Sequence, residues 1–205
     1  ALGTAGIANA GNLIGNGGFD SDLSNWQIFT TSNGMTGTPS TVSFDTTGLG
    51  SSSASQFYVG QVNFTLDTFE GGGIFQSFSV LSGGTYNISA DVAAFNPGIW
   101  TNASGGRFSI FVDSTELATW DSGEIGGNQI ERSSLFDSQV LTAGNHTLRI
   151  LMERPYLTHT FQYIDNVSVS AVTAPVPEPE TYAMMLAGLG LLGFVARRRK
   201  QKSAA

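Results

Sequence analysis

The sequence predicts an all-β fold: an antiparallel β-sandwich of the jelly-roll kind, followed by a short C-terminal transmembrane helix. Three observations carry this. Apolar residues alternate with polar ones at period two in several segments of the body. Glycine-rich turns separate those segments at short spacing. No window of about 11 residues before Val176 shows the 3.6-residue period of an amphipathic helix.

The elements follow in order. Gln56–Val59 and Gly73–Leu81 are short apolar runs. Thr85–Ala94 alternates cleanly, with Tyr86, Ile88, Ala90, Val92 and Ala94 on one face and Thr85, Asn87, Ser89 and Asp91 on the other. Arg107–Asp113 aligns Phe108, Ile110 and Val112, and His146–Met152 aligns Leu148, Ile150 and Met152. Tyr163–Val169 closes the body. Turns are expected at 82–84, 104–106, 126–128 and 143–145, each containing glycine. Short strands joined by such turns pack as two sheets around one core. The expected organisation is a signal-peptide remnant at 1–10, a sandwich domain at 11–172 and a tail at 173–205.

The tail has three parts in fixed order. Pro177-Glu178-Pro179 cannot continue a helix or a central strand and makes an extended spacer. Residues 181–196 are uncharged and rich in Leu, Ala, Met and Gly, a helical span of about 24 Å against a hydrocarbon core of about 30 Å. Arg197, Arg198, Arg199 and Lys200 then hold the end on the cytoplasmic side. This order closely resembles the PEP-CTERM sorting signal of Gram-negative bacteria. The resemblance implies recognition and processing by an exosortase, a membrane-embedded cysteine protease. It implies a transient anchor in the inner membrane and delivery to the cell envelope or extracellular space. The first ten residues, ALGTAGIANA, end in an A-x-A pattern that fits export as well.

Composition narrows the chemistry. There is no cysteine, hence no disulfide, thiolate nucleophile or Cys-based zinc site. Before Val176 there are 14 acids, four arginines (Arg107, Arg132, Arg149, Arg154) and no lysine, a formal charge of −10. Such a surface repels phosphate backbones and excludes nucleic acid as a partner. The lack of lysine also excludes a P-loop and Schiff-base chemistry. Neither G-x-S-x-G nor H-E-x-x-H occurs, and the two histidines, His146 and His159, read as surface residues. The expectation is a non-enzymatic protein.

The body also carries a resemblance. Asn12-Leu13-Ile14-Gly15-Asn16-Gly17-Gly18-Phe19-Asp20 with Trp26, Gly73-Ile74-Phe75-Gln76 with Phe78, Gly84-Thr85-Tyr86, and Tyr163-Ile164-Asp165-Asn166-Val167-Ser168-Val169 occur in this order. Together they resemble the jelly-roll carbohydrate-binding modules attached to xylanases and cellulases. The resemblance implies a structural calcium ion between Asp20 and Asp165, with Asp67 and Glu70 as further candidate ligands; hard oxygen donors suit Ca²⁺. The alternative is that Asp20 caps a turn and Asp165 is a hydrogen-bonded strand residue.

A sugar site combines an aromatic platform with polar groups at its rim. The candidates are Trp100, in a loop between two strands, Tyr156, similarly placed, and Trp120, which suits a platform or the core. Trp26 reads as core. Two functions are therefore expected. One is a carbohydrate-binding-like envelope or matrix protein that tethers extracellular polysaccharide. The other is a structural matrix or filament subunit that associates with itself or another matrix protein.

Overall fold

A computed structural model describes residues 11–172, together with 184–189 and 192 of the tail. The body, Gly11–Val172, forms one compact unit. Its strands are β1 (Gln27–Thr30), β2 (Gly34–Met35), β3 (Ser40–Phe44), β4 (Ser52–Phe57), β5 (Gly60–Gln61) and β6 (Glu70–Val80). They continue as β7 (Gly84–Phe95), β8 (Arg107–Val112), β9 (Thr115–Asp121), β10 (Ile130–Leu141), β11 (Gly144–Arg154) and β12 (Phe161–Ala171). Two five-stranded antiparallel sheets run in the orders β1-β6-β11-β8-β9 and β10-β7-β12-β4-β3, and β2 and β5 make a small ribbon. The all-β sandwich expected from the alternation is what the chain forms.

Period-two patterning sets which side chains meet. Leu148, Ile150 and Met152 of β11 and Phe108, Ile110 and Val112 of β8 turn inward from the first sheet. Tyr86, Ile88, Ala90, Val92 and Ala94 of β7 answer them from the second. Each fully buried large apolar side chain contributes about 1.5–3 kcal/mol relative to exposure.

The opening segment staples the two sheets together. Asn12 Nδ2 donates to Val167 O (2.8 Å), and Asn12 Oδ1 accepts from Val169 N (2.9 Å), both on β12. Three residues on, Gly15 N donates to Gln76 Oε1 (2.7 Å) and Gln76 Nε2 donates back to Gly15 O (2.9 Å), on β6 of the other sheet. Gly17 lies so close to β12 that a Cβ there would meet Val167 O at 2.1 Å. Trp26 stacks on Phe19 at 5.6 Å and donates from Nε1 to Asn16 O (3.0 Å), so it packs in the core as expected. The approach occurs at a β-bulge in β12 between Asp165 and Ser168, where Asn166 takes φ 51°.

Residues 184–189 and 192 of the tail are helical. Among the described residues no helix is long and apolar enough to cross a membrane. The rest of the expected 181–196 helix, the residues Pro177, Glu178, Pro179, Arg197, Arg198 and Arg199, and the expected signal remnant at 1–10 lie outside the described residues.

Candidate functional site

Three connections converge at one end of the sandwich and enclose an open cleft of about 470 Å³. The β5–β6 loop supplies Phe64, the β7–β8 loop supplies Thr101, Asn102 and Ala103, and the end of β11 with the β11–β12 loop supplies Arg154, Tyr156, Leu157 and His159. Each loop is held by a buried polar side chain. Gln61, fully buried, donates from Nε2 to Thr65 O (3.0 Å) and Thr68 O (2.8 Å), and its Oε1 accepts from Thr65 N (2.5 Å). These bonds wrap the loop that presents Phe64. Gln61 N also donates to Tyr156 O (2.9 Å), tying two walls together. Gly60 makes that approach feasible, because a Cβ would meet Tyr156 O and Thr158 N at 2.8 Å.

The third wall hangs on Asn96. Its Nδ2 donates to Trp100 O (2.8 Å) and Ile125 O (3.2 Å), and its Oδ1 accepts from Gly98 N (3.0 Å). The loop therefore has a fixed backbone while Trp100 stays 80% exposed, one residue before the lining residue Thr101. Phe64 and Tyr156, 54% and 39% exposed, have parallel rings, with centroids 6.5 Å apart and an interplanar angle of 4°. Two rings held parallel at a cleft mouth offer an apolar face of the kind that stacks against the CH face of a sugar.

Arg154 forms the inner wall and is fully buried. Its Nε donates to Ser104 O (3.0 Å), Nη1 to Leu157 O (2.7 Å), and Nη2 to Asn102 Oδ1 and Ser104 O (both 2.8 Å). All these acceptors are neutral. Burial pushes the guanidinium down to about 10, against the opposing influence of Tyr58 and Tyr156. The side chain thus organises three loop segments at the cost of burying a charge.

Of the aromatics singled out from the sequence, Tyr156 lines the cleft and Trp100 adjoins it. Trp120 lies elsewhere: it stacks on Phe108 at 5.4 Å and packs against the core from β9. Phe64 and Arg154 escaped the sequence reading as site residues, since Phe64 sits in a segment without periodicity. His159 lines the cleft and is exposed. His146 is instead held between Asp113 Oδ2 (2.8 Å, from Nδ1) and Thr142 O (3.0 Å, from Nε2).

The two candidate calcium ligands differ in setting. Asp20 is exposed, and Asp165 is buried in the β12 bulge. Asp165 Oδ2 accepts from Ser52 Oγ (2.5 Å) and Thr46 Oγ1 (3.4 Å), and Oδ1 from Asn166 N (2.7 Å). Burial pushes its carboxyl up, the Ser52 bond opposes this, and the charge of Asp91, its cross-strand partner on β7, adds to it. Glu70 accepts from Ser32 Oγ and Asn33 N near the β2–β5 ribbon, and Asp67 lies in the β5–β6 loop. Among the described residues no cluster of three or more His, Asp or Glu is placed to hold a metal.

Comparison with known proteins decides the tail. Residues 175–200 match the PEP-CTERM protein-sorting motif. The chain carries a PEP-CTERM sorting signal. The signal marks it for export by the exosortase route, through a membrane-anchored intermediate, to the cell envelope or extracellular space. No curated protein matches the sequence. Solved structures similar to the body include a family 61 carbohydrate-binding module in complex with β-1,4-galactotriose, at 14% identity and TM-score 0.48, over 80% of this chain and 100% of that one. A xylan-binding family 22 domain matches at 14% identity and TM-score 0.45, over 82% and 99%. The family 22 and catalytic modules of Clostridium thermocellum xylanase 10B, complexed with xylohexaose, match at 14% identity and TM-score 0.44, over 80% of this chain and 29% of that one.

Proposed function

We propose that the PEP-CTERM chain is a non-enzymatic, exported glycan-binding protein that holds extracellular polysaccharide at the envelope or in the matrix. The cleft between Phe64, Tyr156 and the β7–β8 loop is its binding site. One observation carries the reading: two exposed aromatic rings are held parallel over a cleft whose walls are fixed by buried Gln61, Asn96 and Arg154. A site fixed before ligand arrives loses little ordering entropy on binding. Trp100, exposed on the β7–β8 loop one residue before the lining residue Thr101, is a further apolar group near the cleft. A glycan array probed with the full chain tests the proposal. Signal for a defined glycan class, lost in Phe64→Ala, is expected; an array without signal overturns it.

A second reading has its own observation. β10 is an edge strand, and Phe136 and Val140 on it are 59% and 73% exposed. Exposed apolar groups on a long edge favour strand addition by another copy, as a structural matrix subunit would use. Concentration-dependent light scattering that Phe136→Lys abolishes would favour this reading.

Calcium held through Asp165 and Asp20 stands as a separate proposal. Its support is the buried Asp165 carboxyl beside the like charge of Asp91, a repulsion that a divalent cation would relieve.

A further inference from the structure

We propose that the cleft selects an acidic sugar, a hexuronate whose carboxylate lies over Arg154, in preference to a neutral one. The inference rests on the glycan-binding reading and names its ligand class.

The charge distribution points this way. The body before Val176 has 14 acids and four arginines, yet the cleft is lined by Arg154 and His159 and by no Asp or Glu. The four arginines also differ from one another. Arg107 pairs with Glu153 at 2.6 Å and Arg132 with Asp45 at 3.5 Å. Arg149 lies over the rings of Phe111 and Phe29, at 4.3 and 5.8 Å. Arg154 is the fully buried one, and its partners are two carbonyls and an amide oxygen, with no carboxylate among the described residues. Four hydrogen bonds leave one of the five guanidinium N–H groups over.

A buried cation without a counter-charge is costly, and a charge compensated only by dipoles leaves a positive potential in the adjoining space. That space is the cleft. Asn102 Oδ1 is committed to Arg154, so its Nδ2 and the Thr101 hydroxyl remain as donors at the rim for a carboxylate. The net negative body repels an acidic glycan over long range, but salt screens that repulsion beyond about 8–10 Å, whereas the potential of buried Arg154 acts on the adjoining cleft at short range and is screened less. The ring stacks on Phe64 and Tyr156, and the carboxylate distinguishes acid from neutral sugar.

Isothermal titration of the full chain in detergent tests this with three probes: trigalacturonate, its methyl ester and galactotriose. The ester keeps the ring and removes the charge. The acid should bind at least about tenfold more tightly than the ester, the scale of a charge-assisted hydrogen bond. Thr101→Asp places a carboxylate in the cleft without touching the bonds of Arg154. It should erase the preference without lowering the melting temperature. Equal affinity for acid and ester overturns the acidic class while leaving the glycan-binding reading intact. An acid preference that survives Thr101→Asp overturns the assignment to this cleft. Absence of heat with all three probes overturns the inference, and the glycan array then decides the broader reading separately.

Discussion

Gln76→Leu should destabilise the body through the loss of a single staple. Gln76 exchanges two hydrogen bonds with Gly15, at 2.7 and 2.9 Å, and is 7% exposed. Leucine keeps the volume but satisfies neither the N–H nor the C=O of Gly15. Each lost bond is worth about 1 kcal/mol net, and water reaches exposed Gly15, so the cost is about 2 kcal/mol rather than the full burial penalty. For a domain of this size that lowers the melting temperature by about 4–8 °C. Asn12→Ala removes the other anchor, to β12, and should cost about the same. Once either anchor is gone the segment 11–19 frays, so the double variant should lose clearly less than the sum of the singles. Thermal and urea unfolding of the full chain, read by far-UV circular dichroism and intrinsic tryptophan fluorescence, measure all three. A Gln76→Leu variant within about 0.5 kcal/mol of the parent, or strictly additive losses, would refute the staple.

Other outcomes follow from individual groups. Hydrogen bonds to Asp113 and Thr142 raise the His146 pKa against a smaller effect of burial, so its stabilising contribution is complete below the ordinary value of about 6.5 and is lost as pH rises through the raised one. Asp113 is lowered on balance, burial being outweighed by the His146 and Thr147 bonds, so its share is lost only as pH falls through that lowered value. Unfolding curves from pH 5 to 9 should show the alkaline loss, and His146→Gln should remove it; an unchanged profile counts against the pair. Chain recovered from the native envelope should lack the segment from about Thr181 onward by intact mass, whereas protein ending in Ala205 would indicate a permanent anchor. If Asp165 holds calcium, excess chelator should lower the melting temperature of the parent and leave Asp165→Ala unaffected; no change in the parent removes the proposal.

The strands buried on one face were readable because alternation reports burial. β7, β8, β11 and β12 therefore lie where their periodicity placed them. β10 was not, since along Ile130–Leu141 only Leu135 and Leu141 are buried and exposed Phe136 and Val140 fall out of phase. The edge strands β1 and β3 left equally little pattern, with no buried residue in either. Gly144, expected in a turn, opens β11 with φ 143°, a conformation glycine reaches without strain. The candidate site was half legible. Tyr156 and Trp100 could be placed in loops, but the cleft arises from three loops far apart in sequence. Nothing local marks Arg154 as buried, because all its acceptors but Leu157 O lie about fifty residues away on the β7–β8 loop.

Glycan binding at the cleft is tested most directly by affinity electrophoresis of the full chain and of Tyr156→Ala in gels containing neutral glucan, xylan or polygalacturonate. Removing this ring leaves the backbone bond from Gln61 N to Tyr156 O in place, so the loop should hold its position. Retardation of the parent by at least one polymer, weakened about tenfold or more in Tyr156→Ala and unchanged in Trp100→Phe, is the predicted result. Equal retardation of the parent and Tyr156→Ala, or none of the parent in any gel, would contradict the site.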